Sequence, residues 1–170
     1  PLGVRFLGIQ ASNTDFDAIA AAFKTSWQTY GRLDLLVNAA GTGVMTPFEE
    51  LTKSDVDTTI DVNLKGTIYA VKLSVPYFEK TGGGNILNIS SMWGEVGASC
   101  EAVYSASKGG INAFTKAMAK ELGPSHIRVN AISCGVIDTE MNACFSEDER
   151  QALADEIPLM RFGQPEEVAE

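Results

Sequence analysis

Two periods organise the apolar residues of this chain. Short runs with few polar interruptions occupy residues 4–10, 33–38, 85–90 and 127–133, and their length and flanking turn formers predict four β-strands. Between them the apolar positions recur at helical spacing. Phe16, Ile19, Ala20, Phe23 and Trp27 form one stripe over 15–30, preceded by polar cap residues at 11–15 and closed by Gly31. Thr52 followed by Asp55 predicts a capping box that opens a helix to about residue 80, with a disturbance at 63–66.

Gly82, Gly83 and Gly84 then break the chain. After the third strand a polar, glycine-containing loop reaches Ser99, and a long helix over 101–122 ends at Gly123 and Pro124. Short helices separated by Gly135, Pro158 and the Gly163-Gln164-Pro165 turn complete the pattern. The 33–38 run is apolar but for Asp34 and Asn38, which predicts a strand covered on both faces. Strands alternating with longer helices predict a doubly wound parallel α/β sheet with helices on both faces, in one domain spanning 1–170. In such sheets ligands bind beyond the carboxyl ends of the strands.

Composition narrows the function. The 170 residues carry a net charge of −9, with 13 basic residues scattered among 22 acidic ones, which argues against a nucleic-acid partner. No apolar run approaches the roughly 20 residues of a membrane span, and the first ten residues lack the pattern of a signal peptide. A cytoplasmic location is expected. Cys100, Cys134 and Cys144 are odd in number and lack C-x-x-C spacing, so neither a disulfide framework nor a metal site is expected. The chain starts at Pro1 before a strand-like run and stops at Glu170 early in a helical pattern, so both ends read as cut.

Candidate chemistry gathers after the strands, at Ser12 and Asn13, at Asn38, Ala39, Ala40 and Gly41, at Ser91, and at Gly135, Val136, Ile137 and Thr139. Small residues at 39–41 would let a flat cofactor approach the backbone, although alone they could form a plain turn. Tyr104 and Lys108 lie four apart on the long helix and share a face. A neighbouring ammonium favours the phenolate and so fits a tyrosine for acid–base work. Such pairs also arise by chance. Ser91 stands thirteen residues before Tyr104, at the end of the third strand, where its hydroxyl could hold a substrate oxygen or simply close the strand.

Together, Asn38-Ala39-Ala40-Gly41, Asn63 in Asp-Val-Asn-Leu-Lys-Gly, Ser91, Tyr104-x-x-x-Lys108 and Gly135-x-Ile137-x-Thr139, in this order, resemble the short-chain dehydrogenase/reductase family along essentially the whole chain. The resemblance implies a Rossmann-type fold and a proton relay. In it Tyr104 is the general acid/base, Ser91 orients the substrate oxygen, Lys108 binds the nicotinamide ribose, and Asn63 holds a water leading to solvent. It implies NADP or NAD as cofactor, with NADP favoured, and no metal. Residues 38–41 would line the adenosine and ribose side, Val136, Ile137 and Thr139 the carboxamide, and Ser12 and Asn13 the adenine.

Departures from the family pattern are as informative as the matches. The family's glycine-rich phosphate loop and first two strands have no counterpart before Val4, and its last strand would lie beyond Glu170. The residue that selects NAD or NADP belongs to the part without a counterpart. Ser12 stands where the family has aspartate, and Cys134 where it has proline before Gly135.

The implied reaction is reduction of a carbonyl, foremost that of a 3-oxoacyl thioester on an acyl carrier. The loop containing Trp93 and leading to Glu101 also resembles reductases acting on the 5-aminopentanone group of elongation factor P. There Glu101 could face a substrate ammonium, or merely favour the helix dipole. Two other readings remain: a non-catalytic scaffold on the same fold, and an epimerase or dehydratase using the same residues. The resemblance also implies a homodimer or homotetramer pairing through 52–80 and 101–122. There Ala106, Gly109, Gly110 and Ala113 would permit close packing or face the sheet.

Overall fold

The computed structural model describes residues 3–142 and 145–170. It divides into two compact units, one to Ile132 and one from Ser133. In the first, Asp15 leaves helical geometry and its carboxylate accepts the amide N–H of Ala18, so α1 (Phe16–Tyr30) starts there, and Gly31 ends it in the left-handed conformation at φ 70°. β1 (Leu35–Asn38) follows. Next come a 3₁₀ turn (Phe48–Glu50), α2 (Lys53–Ile60), a π turn (Asp61–Lys65) and α3 (Gly66–Thr81). The capping box of Thr52 and Asp55 forms in both directions.

The sheet continues with β2 (Gly84–Ser91) and β3 (Ile127–Cys134), in the order β1-β2-β3. β1 and β2 run parallel, with Leu35 opposite Asn85 and Asn38 opposite Asn88, so their carboxyl ends lie together. The short α4 (Trp93–Val96) and the long α5 (Ala102–Leu122) connect β2 to β3. α3 packs on β1 and β2, α5 on β2, and α1 on α3. This is a parallel α/β sheet of Rossmann type with flanking helices.

The core lies between strands and helices. Val71, Phe78, Ile86, Leu122, Ile127 and Val129 are buried together, with Leu33, Leu36, Val75, Phe114 and Met118 packed around them. Phe78 explains the glycine that opens β2, because a β-carbon at Gly84 would stand 2.1 Å from its ring. No helix among the described residues is long and apolar enough to cross a membrane.

Three sequence expectations change. Residues 4–10 form no strand: Val4 and Phe6 are 71% and 89% exposed. A strand exists only through hydrogen bonds to a neighbour, and the described sheet contains β1, β2 and β3 alone. Nor is β1 covered on both faces, because Leu35 and Val37 are exposed while Leu36 packs against the core. The segment after β2 is not all loop, because α4 forms there.

In the second unit, α6 (Glu147–Glu156) opens with a capping box from Ser146 and Glu149, and α7 (Pro165–Ala169) with one from Gln164 and Glu167. A parallel bridge pairs Ile137 with Gly163. Cys144 lies outside the described residues.

Candidate active site

Lys108 is the most constrained charged side chain of the first unit. It is 4% exposed, and its Nζ donates to the backbone carbonyl of Ile89 at 2.9 Å. That bond ties α5 to the carboxyl end of β2. The same Nζ lies 5.6 Å from the centre of the Tyr104 ring, one helical turn back. The hydroxyl of Ser90 adds a second tie by donating to the carbonyl of Lys108 at 3.3 Å. Tyrosine and ammonium are therefore held at the strand end where the sheet topology puts a ligand.

Ser91 is buried at the last position of β2, where its Oγ accepts the amide N–H of Trp93 at 3.2 Å. Its own O–H can still donate to another acceptor. Trp93 is half-buried and opens α4. Gly94 lets that short helix settle on α5, because a β-carbon there would stand 2.6 Å from the carbonyl carbon of Lys108.

Asn63 occupies the middle of the π turn and is fully buried. Its Nδ2 donates to the Thr42 carbonyl at 2.8 Å and to Ser107 Oγ at 3.0 Å, while its Oδ1 accepts the Thr42 N–H at 2.8 Å. Both amide protons are committed to protein atoms. The Asn63 side chain thereby clamps the 41–43 loop, and the second lone pair of Oδ1 is the side-chain position left where a relay water could bond.

Asn38 donates from Nδ2 to Asn88 Oδ1 at 2.8 Å, and Asn88 Nδ2 donates to Thr115 Oγ1 at 2.9 Å. This chain of amides runs from β1 through β2 to α5. Ala39, Ala40 and Gly41 are exposed beyond it. A β-carbon at Gly41 would stand 3.5 Å from Lys108 Nζ and 3.6 Å from Asn63 Oδ1. The backbone of Gly41 thus runs close beside the ammonium.

The remaining expected residues separate into groups. Asn13 donates from Nδ2 to the Val62 carbonyl at 2.8 Å and fills the space over Gly66, which makes it a tie to the π turn. Ser12 is exposed and bonds Thr14. Gly135, Val136, Ile137 and Thr139 belong to the second unit. There the carbonyl of Val136 accepts from the Gly163 N–H, and that of Ile137 from Asn142.

Glu101 is half-buried just before α5 and makes no side-chain capping bond. Burial pushes its carboxyl pKa above the ordinary glutamate value. Of the small residues on α5, Gly109 and Gly110 face inward, onto Gly94 and Leu64, whereas Ala106 and Ala113 are exposed.

Sequence reasoning missed Thr42, Gly43, Ser90, Asn88, Ser107 and Thr115. A signal existed for two of them. Positions 104, 108, 111 and 115, with 107 beside them, follow one helical stripe, and polar residues inside a buried stripe demand partners.

Most of the chain is similar to known proteins. Residues 2–150 match the short chain dehydrogenase family. The chain is 42% identical to the 3-oxoacyl-acyl-carrier-protein reductase of Thermotoga maritima over 92% of its own length and 64% of the relative's. It is 38% identical to the enzyme of the same name from Aquifex aeolicus, over 98% of the chain and 67% of the relative. It is 37% identical to an acetoacetyl-CoA reductase of Synechocystis, over 96% and 68%. The chain thus spans under two thirds of the Thermotoga relative's length. On the extent of the family match and these identities, the chain belongs to the short-chain dehydrogenase family.

Proposed function

We propose that this chain carries the proton-transfer part of an NAD(P)-dependent carbonyl reductase acting on a 3-oxoacyl thioester. The carrying observation is the buried Lys108 ammonium, anchored on Ile89 and 5.6 Å from the Tyr104 ring at the carboxyl end of β2. In this reading the Tyr104 hydroxyl gives a proton to the substrate oxygen while the carbonyl carbon is reduced. Ser91 donates its O–H to the same oxygen and steadies the developing charge. Lys108 favours the phenolate left behind. The nicotinamide, when bound, supplies the hydride.

The Gly41 backbone close beside Lys108 fits the ribose side of such a cofactor, NADP or NAD. Asn38, Ala39, Ala40 and Gly41 would line it, with Ser12 and Asn13 toward the adenine. Asn63 keeps the 41–43 loop in register beneath it. The names of the three relatives support the thioester class of substrate. A homodimer or homotetramer in the cytoplasm, taking a small or carrier-bound substrate, accords with this reading.

A second substrate reading rests on Glu101. A half-buried carboxylate without a capping role suits a substrate ammonium, as in an aminoketone, and Trp93 would flank it. Steady-state reduction of an acetoacetyl thioester and of an aminoketone, each with NADPH and NADH on the intact enzyme, separates the two. The proposal expects faster turnover of the thioester. Inactivity on both would overturn both readings, and turnover retained by Tyr104→Phe would overturn the mechanism and reopen the scaffold alternative.

A further inference from the structure

A closed circuit of contacts runs through the site. Gly43 lies against the Tyr104 ring, so that a β-carbon there would stand 3.0 Å from Cδ2, 3.6 Å from Cγ and 3.7 Å from Cε2. From Gly43 the backbone leads to Thr42, which both donates to and accepts from the Asn63 amide. Asn63 donates to Ser107, whose hydroxyl donates in turn to the carbonyl of Tyr104 at 2.7 Å. The path begins at the ring of Tyr104 and returns to its backbone.

Each link in the circuit is strained by substitution or buried. Ser107 is fully buried and so is Asn63, so neither can exchange its partner for water. The 3.0 Å approach at Gly43 is tighter than a side chain normally accepts, and the backbone there is outside the left-handed region. An alanine at 43 is therefore conformationally permitted, and its β-carbon must press on the ring.

On the reading of Tyr104 as proton donor, we infer that Gly43 and Ser107 are positioning residues for it. Gly43 supplies the surface on which the ring rests. Ser107 sets the distance between that surface and the turn of α5 that carries the ring, through Asn63. Neither touches substrate in this scheme; both act on where the phenol oxygen stands. Ring placement to a few tenths of an ångström is what proton transfer in a fixed site responds to.

The test uses the intact enzyme with Gly43→Ala, Ser107→Ala and Tyr104→Phe, with Gly123→Ala as control because nothing lies within 4 Å of its added β-carbon. Both positioning variants should lose about tenfold in kcat with KM little changed. The tyrosinate absorbance of the cofactor-free protein, taken as the difference from each variant's own Tyr104→Phe double, should show the Tyr104 midpoint moved by about half a unit. Gly43 is exposed in a loop, so its variant remains informative if Ser107→Ala unfolds. Parental kcat and an unmoved midpoint in Gly43→Ala would overturn the inference while a dead Tyr104→Phe leaves the proton-donor reading standing. Turnover by Tyr104→Phe would instead remove that reading itself.

Discussion

Lys108 reaches from α5 to the backbone of Ile89 on β2, donating to its carbonyl at 2.9 Å from an almost fully buried position. One side chain therefore joins the helix that carries Tyr104 to the strand that ends in Ser91. Lys108→Met keeps the stem but removes both the charge and this tie. Turnover should fall by about 10²–10⁴, and loss of the charged bond to the Ile89 carbonyl should lower stability by about 1–3 kcal/mol. Steady-state kinetics and urea unfolding measure the two effects separately. Lys108→Met with parental kcat would exclude the role.

Asn88 joins Asn38 to Thr115 inside the protein. Asn88→Leu is close in size but leaves an amide N–H on Asn38 and the Thr115 hydroxyl oxygen without partners. A loss of about 2–4 kcal/mol is expected in denaturant unfolding. Thr115→Val breaks only one of the two bonds and should cost about half as much.

Gly94 lies within α4 and Gly97 caps its end, and the two should respond to alanine differently. At Gly94 the added carbon meets backbone of Lys108 and Gly109 at 2.6 and 2.8 Å, so α4 must lift from α5. We expect about 1–3 kcal/mol of destabilisation together with reduced kcat. At Gly97 nothing lies within 4 Å, but φ is +75°, so Ala should cost about 1–2 kcal/mol of backbone strain and leave kcat nearer the parent's. Paired melting and kinetic measurements on the two variants test the contrast.

Burial raises the Glu101 pKa above its ordinary value. The folded state then holds this proton more tightly than the unfolded chain does. The stabilisation is complete below the unfolded pKa and disappears as pH rises through the folded one. At neutral pH the ionised carboxylate is a liability, so Glu101→Gln should melt about a degree higher than the parent at pH ~7.5. That advantage should vanish well below the ordinary glutamate pKa of ~4.3, where both proteins carry a neutral group in the folded and unfolded states. A variant that melts lower at neutral pH would mean the carboxylate has a stabilising partner.

Glu167 shows the opposite shift. Bonds from Arg161 and the Gln164 N–H lower its pKa from 4.5 to about 2. Its contribution is present above the unfolded pKa and is lost as pH falls through the folded one. A carboxyl NMR titration should give a midpoint near 2 in the parent and a clearly higher one in Arg161→Met, still below the ordinary ~4.3 because the Gln164 N–H bond remains. Because the pair is exposed, added salt should move the parent midpoint upward.

Local signals in the chain were enough for the elements whose causes are local. The Asp15 cap, the Thr52–Asp55 capping box, Gly31 and the break at Gly82 and Gly83 all act within a few residues, and each stands where the pattern predicts. The disturbance at 63–66 was also legible and proved to be a π turn at Asp61–Lys65. Residues 4–10 failed for the converse reason. Their apolar pattern is strand-like, but a strand needs a partner, and a partner is a property of the sheet.

The order of Asn38, Asn63, Ser91, Tyr104 and Lys108 marked the family and the candidate chemistry before any coordinates, because recurring spacing along a chain survives without knowledge of contacts. It could not say that the Asn63 amide grips Thr42, that Lys108 anchors on Ile89, or that Gly43 backs the Tyr104 ring. Those pairs are separated by 19 to 61 positions in the chain. Such contacts come from packing α5 and the π turn against the end of β2, and hydrogen-bond direction and close approach are settled only when the buried side chains have to share that space.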